Sequence, residues 1–348
     1  MNSNQREKVM RPSQRFPVAL GARLRHLWLL VILVCLCWSS AGQAQKLETQ
    51  DVKTNLTPGA VLMDDIQVPA GFAFSPAFTY TTKLWTDGEA PYVFDANVNE
   101  YGRNAMLAAM AEWEKVAGVD FRPAQDYDAN YVHIQDSTGN NSWVGMKGGM
   151  QIINIVSWDD KFIIVHELGH CLGLWHEQSR PDRDAYVEII FSNIQAGKEG
   201  NFAIKNDAYS NGPYDFDSIM HYNKCTFSTG CSAGKTCKCA PGTETILVRE
   251  PYRAEWQNKI GQRGRLSSLD RNVMATLYPI PVYVDGSYTG SVEKGTITQP
   301  FKSFVAGANA VAPDGRVIVR PGSYAAAGSY DKPMTIKAPQ GGVTLGKQ

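Results

Sequence analysis

Apolar residues fall into four successive patterns along the 348-residue chain. Residues 27–38 form an unbroken apolar run. Residues 45–77 hold only short apolar stretches, interrupted by Pro58, Gly59, Pro69, Gly71 and Pro76, with no sustained helical or strand period. Such a segment reads as a leader draped over another domain. From about Lys83 to Tyr278 the pattern becomes periodic. Residues 90–94 read as a strand, and across residues 104–113 apolar side chains recur at threes and fours, which predicts an amphipathic helix. Further strands are expected at 131–135, 143–146 and 151–156, punctuated by Gly145, Gly148 and Gly149. Pro279 and Pro281 close this region. Beyond Val282, strand-like runs spaced by glycine and proline surround one expected helix at 302–312.

Composition narrows the picture. With 43% hydrophobic and 20% charged residues the chain is not a disordered one, and its 34 Lys+Arg balance 34 Asp+Glu. The first 44 residues hold six of those cations and one acid, so the remainder carries 28 against 33, which offers no polybasic surface and excludes nucleic acid as the expected partner. The same 44 residues have the layout of an export signal: a basic stretch ending in Arg23, Arg25 and His26, the apolar run, then small residues up to Ala44. An uncleaved membrane anchor is the alternative, but twelve residues of helix span about 18 Å, short of the roughly 30 Å hydrocarbon core. Cleavage near Ala44 and a secreted, extracellular chain with no membrane attachment are the expectation.

Export makes disulfides the default for cysteines outside the signal. Five remain: Cys171, Cys225, Cys231, Cys237 and Cys239. The last four lie within fifteen residues and would staple one loop through two bridges or form a small metal knot; three pairings are open.

The chemistry concentrates in residues 162–177. His166 and His170 are four apart, so on a helix they stand on one face about 6 Å apart, from where both imidazoles reach one zinc ion. Glu167 lies beside them as the natural general base for water. Gly173 allows a positive φ, so the helix can stop and the chain swing back to present His176 as a third ligand. Three neutral ligands leave one position open for water, one zinc per chain. A structural zinc site would close with four protein ligands, favour cysteine and have no use for Glu167.

The string from His166 to Glu177, followed by Gln-Ser-Arg-Pro-Asp-Arg-Asp through Asp184, resembles the astacin family of metzincin metalloendopeptidases. Ser218-Ile-Met220-His221-Tyr222 resembles the family's Met-turn, with Met220 as the floor under the zinc. The resemblance implies that Tyr222 ligates zinc at rest and swings toward the substrate oxyanion in turnover, and that Glu177 meets the N-terminus freed by maturation. Residues 84–88, Asn201-Phe202 and residues 260–270 also match family marks, so the resemblance covers roughly 83–280. It implies an α+β, zincin-like catalytic domain with a mixed twisted sheet, an active-site helix and a less regular second half. Residues 143–149, and Trp143, Val144 and Gly145 in particular, resemble the family's rim strand, which would pair with a protein or peptide substrate by strand addition. Family members often favour acidic residues after the cut; Lys147, Arg249 and Arg253 are the candidates for that preference.

Two features depart from the family: no cysteine lies near the rim strand, and Cys171 sits inside the zinc helix, where it reads as a core filler. The leader resembles a propeptide that places an aspartate on the zinc, for which Asp65 in Met63-Asp64-Asp65-Ile66 is the candidate. A mature N-terminus near Pro76 or Ala77 would follow. The segment after Val282 resembles the first turns of a right-handed parallel β-helix of the pectate-lyase type. With too few rungs to bury its core alone it should dock on the protease, and surface or glycan attachment is a guess at its role. The expected organisation is a signal peptide at 1–44, a propeptide at 45–77, a catalytic domain at 78–281 and a mainly β module at 282–348. The function expected is a secreted zinc endopeptidase made as a zymogen; the alternative is a catalytically silent binding or adhesion protein that retains the fold.

Overall fold

A computed structural model describes residues 56–63, 65–69, 83–205, 212–231, 238–326 and 328–346, all within one compact unit that begins at Asp51. The expected signal, Asp64, the maturation point near Pro76 or Ala77 and Cys237 lie outside the described residues. No helix among the described residues is long and apolar enough to cross a membrane.

The first half is one mixed sheet backed by two helices. In chain order come β1 (Ala60–Met63), β2 (Ile66–Pro69), β3 (Glu89–Phe94), α1 (Glu100–Glu114), β4 (Asp120–Pro123), β5 (Tyr131–Asp136), β6 (Asn141–Trp143), β7 (Met150–Ile155) and α2 (Lys161–Cys171). The sheet order is β1-β2-β6-β7-β5-β3-β4. Helix α1 starts where the Asn99 side chain accepts from Gly102 N, and it buries Met106, Ala109, Met110 and Trp113, the three-and-four spacing of its sequence. Ile134 of β5 and Ile153 and Ile155 of β7 meet that face, and the Trp113 indole donates to Val165 O of α2 at 3.0 Å.

Two expectations about strands are corrected. The leader forms a β-hairpin, with β1 antiparallel to β2, and β2 lies parallel to β6 with Ile66 opposite Ser142 and Gln67 opposite Trp143. Each of its strands is four residues long, too short to display a period. The rim strand covers Asn141–Trp143 and ends before Val144 and Gly145. Gly145 takes φ 72° and its N–H donates to His170 O, which draws the chain off the ladder toward α2. With β2 on one side and β7 on the other, β6 has no free edge here.

The second half is less regular. A two-stranded ladder of β8 (Val187–Ile189) and β9 (Ile246–Val248), the short α3 (Arg253–Trp256) and α4 (Ser268–Leu277) surround a core of Val187, Phe202, Tyr214, Phe216, Tyr222 and Ile260. Cys225 and Cys239 form a disulfide, and Cys231 is disulfide-bonded too, so the staple and not the metal knot holds this loop. Cys171 is free and fully buried, and burial pushes its thiol up to about 12, which leaves it an inert packing group.

After Val282 every strand pair is parallel: β10 (Val282–Val284), β11 (Gly315–Val319) and β13 (Met334–Lys337) in one sheet, β12 (Gly322–Ala325) and β14 (Val343–Gly346) in another, with α5 (Phe304–Ala310) packed on a core of Val284, Val317 and Val319. This segment sits against the first half. Arg316 Nη2 donates to Gly118 O at 2.5 Å, and Lys337 Nζ lies 2.8 Å from both Asp87 and Glu89.

Candidate metal centre

Helix α2 begins where Asp160 Oδ1 accepts from Phe162 N and Ile163 N. One turn on, His166 and His170 meet edge to face on the inner side of the helix with ring centroids 4.7 Å apart. Gly173 then takes φ 111°, and Leu174 N closes back on Gly169 O at 2.9 Å, so the chain reverses and delivers His176 against both rings, at 4.7 Å from His170 and 5.4 Å from His166. A β-carbon on Gly169 would lie 2.8 Å from Met220 Sδ; the bare backbone at that position lets α2 settle onto Met220.

Asp65, arriving from the tight turn between β1 and β2, completes the group. Its carboxylate oxygens lie 3.2 Å from His166 Nε2, 3.2 Å from His176 Nε2 and 3.7 Å from His170 Nε2, and one ligand atom from each of the four residues falls within 4.8 Å of the others. The outer nitrogens of two rings face backbone carbonyls: His166 Nδ1 to Ile219 O at 2.8 Å and His170 Nδ1 to Leu174 O at 2.7 Å. Carbonyls only accept, so each Nδ1 carries the proton and each Nε2 presents its lone pair inward. His166 Nε2 and His170 Nε2 stand 3.2 Å apart with no proton to share. Burial, then the charge of Arg263, holds His166 down at about 4, and burial holds His170 well below the ordinary imidazole value, so both are neutral at neutral pH. Inward lone pairs from neutral imidazoles with one carboxylate are a donor set for zinc.

Glu167 is buried within α2, next to His166. Tyr222 packs its ring 4.4 Å from His176, and its N–H donates to Gln178 Oε1. Met220 is buried beneath α2 and its carbonyl accepts from Glu177 N. Glu177 accepts from Arg180 Nη1 at 3.1 Å and from Asp215 N at 2.8 Å; burial pushes its carboxyl up to about 8 despite Arg180. In this form its cationic partner is therefore Arg180, which also grips Asp182 through two bonds of 2.9 Å. Trp143 and Val144 are buried under the leader hairpin and not displayed at an open rim.

Three further residues hold the site and lacked a sequence signal of their own. Asp270, at the start of α4, accepts from Ser218 Oγ (2.7 Å), Ile219 N (2.9 Å) and Ser267 N (2.9 Å), which anchors the Met-turn from below. Gln178 tethers Tyr222. Arg263 stands within electrostatic reach of Asp65, Glu167 and Tyr222 and donates to His221 O at 3.1 Å. The expected basic candidates lie elsewhere: Lys147 Nζ donates to Pro58 O, Arg253 Nε donates to Val248 O, and Arg249 faces Glu188. Arg263 instead lines a cavity of ≈ 900 Å³ together with Lys224, Lys238, Asp159, Asp160 and the Cys225–Cys239 bridge.

Residues 77–279 match the sequence profile of the peptidase family described as Astacin. Bone morphogenetic protein 1 of Xenopus laevis is 43% identical over 204 residues, which cover 57% of this chain and 27% of that protein. Zinc metalloproteinase nas-15 of Caenorhabditis elegans is 34% identical over 231 residues, 64% of this chain and 37% of the relative. The chain thus spans well under half the length of these curated relatives. Among solved structures, high choriolytic enzyme 1, a hatching enzyme zinc-protease from Oryzias latipes, is 30% identical with a TM-score of 0.49, covering 60% of this chain and 97% of that one.

Proposed function

The chain belongs to the astacin family, and we propose that it is a zinc metalloendopeptidase acting on proteins, secreted as a zymogen whose leader occupies both the metal site and the substrate strand. The observation that carries this reading is the convergence of Asp65 on the three imidazoles at the point where β2 joins β6. His166, His170 and His176 would hold the zinc. When bound, the ion supplies Lewis acidity and lowers the pKa of water at the site. Glu167 takes a proton from the attacking water and passes it to the departing amine nitrogen. The Tyr222 hydroxyl donates to the carbonyl oxygen as that atom becomes negative. Asp65 fills the position that water needs. Loss of the leader removes this carboxylate, uncovers β6 for an extended peptide, and supplies an ammonium that can join Arg180 at Glu177. Arg263, with Lys224 and Lys238, gives the neighbouring cavity three cations against two carboxylates, which supports a preference for acidic residues there.

The test compares the full chain, the chain trimmed by limited proteolysis, Asp65→Ala and Glu167→Ala on a denatured protein substrate, with zinc measured on each. Cleavage should appear after trimming and, at a basal level, in untrimmed Asp65→Ala. It should vanish in Glu167→Ala while zinc stays at one per chain. Equal activity before and after trimming would overturn latency, and zinc at one per chain without cleavage in any form would overturn the catalytic assignment.

A further inference from the structure

Four amide side chains form a ladder across four strands. Gln135 of β5 donates to Asn154 Oδ1 (2.6 Å), Asn154 of β7 donates to Asn141 Oδ1 (2.9 Å), and Gln67 of β2 donates to that same oxygen of Asn141 in β6 (2.7 Å). None is more than 5% exposed. Three of these amides lie in the catalytic domain, and the fourth arrives with the leader. Gln67 also donates to Ile152 O (3.0 Å), while Thr57 of the leader accepts from Ile152 N (2.7 Å) and donates its own N–H to Gln67 Oε1 (2.9 Å). The backbone of Ile152 needs these partners because β6 pairs with β7 only at Asn141 and Ser142 and then diverges. Asn141 Nδ2 is buried without a hydrogen-bond partner among the described residues.

Without the leader, Ile152 O loses its donor and Ile152 N its acceptor, while Asn141 Oδ1 keeps only the bond from Asn154. The two acceptors, Asn141 Oδ1 and Ile152 O, lie where one carboxamide NH2 bridges both, as that of Gln67 does now. A carboxylate cannot donate to these acceptors, and an aliphatic side chain would leave Ile152 O buried without a donor and Asn141 Oδ1 with Asn154 alone. A strand laid on β6 in either direction puts the residue opposite Trp143 on the Trp143 and Asn141 face, where Gln67 stands now. Asn and Gln ladders of this kind recur where strands stack.

We propose that Asn141, Asn154 and the backbone of Ile152 form a substrate subsite selective for an Asn or Gln side chain, two residues along the strand from the residue at the metal, as Gln67 is from Asp65. The inference rests on the reading that a peptide substrate replaces β2 on β6. The trimmed, zinc-loaded chain is given a peptide library, and then matched peptides with Gln, Leu or Glu at the enriched position. Gln and Asn should be enriched at one position within three residues of the scissile bond, with kcat/KM about tenfold or more above Leu and Glu. Asn141→Leu should bring that ratio close to one. A second measurement needs no variant enzyme: a peptide of residues 56–69 should bind the trimmed chain about tenfold or more tighter than its Gln67→Leu form. Cleavage with no amide preference at any such position would overturn the subsite and leave the protease reading standing. If the zinc-loaded chain cleaves nothing, the protease reading fails, and equal binding of the two leader peptides would then overturn the subsite as well.

Discussion

Asp270 is placed to fix the metal site without touching it, and replacing it separates support from ligation. Its carboxylate accepts from the Ser218 hydroxyl and from the backbone N–H groups of Ile219 and Ser267, all buried. In Asp270→Ala the hydroxyl can turn to another acceptor, but two buried N–H groups cannot, and at about 1–3 kcal/mol each the loss is about 2–6 kcal/mol. Asp270→Asn can keep its oxygen toward the two N–H groups and turn its NH2 to Ser218 Oγ, so the loss should be about 1–2 kcal/mol. The Ile219 carbonyl that fixes the His166 tautomer belongs to the same turn, so zinc affinity should fall about 10–100-fold in Asp270→Ala. Urea unfolding at fixed free zinc gives the first quantity and chelator competition the second. Stability losses of equal size in the two variants, or unchanged zinc affinity in Asp270→Ala, would refute the assignment of Asp270 as the anchor of the Met-turn.

Two more outcomes follow from other contacts. Asp128 accepts two bonds of 2.7 Å from Arg122, which lowers its carboxyl to about 2. A depressed folded-state pKa contributes stability that is present above about pH 4 and lost as pH falls toward 2, so the unfolding midpoint of Asp128→Asn should fall less steeply over that window than the wild type's; parallel curves would refute the pairing. Arg316→Met removes a buried charged donor from Gly118 O, which should cost about 1.5–3 kcal/mol and raise protease sensitivity near residue 280. An unchanged cleavage pattern would mean that this contact does not hold the tail.

The metal helix was legible because its information is local. A period of 3.6 puts His166 and His170 on one face, and a glycine at 173 is a local instruction to reverse. The leader hairpin was not legible, since what makes β2 a strand is β6, whose Trp143 lies 76 positions beyond Gln67. The amide ladder shows the same limit: Gln67, Gln135, Asn141 and Asn154 are scattered in sequence and become neighbours only through sheet register. Arg263 and Asp270 both lie in a segment recognised by its resemblance, yet their roles come from which backbone groups face them. The three open cysteine pairings were settled in part by geometry, with Cys225 and Cys239 5.5 Å apart at Cα.

The pairing of β2 with β6 also bears on what kind of target can be cut. While the hairpin is in place, β6 is an interior strand; once it leaves, β6 becomes an edge only three residues long. So short an edge is a weak template for self-association, because few backbone groups are offered. It accepts only a segment that has given up its own backbone partners. A folded target must first open a loop or fray an end, at a free energy set by the target's own local stability. Cleavage sites should then follow the softness of the target's backbone as much as its side chains, and a well-packed protein with a perfect sequence match should survive until it is loosened.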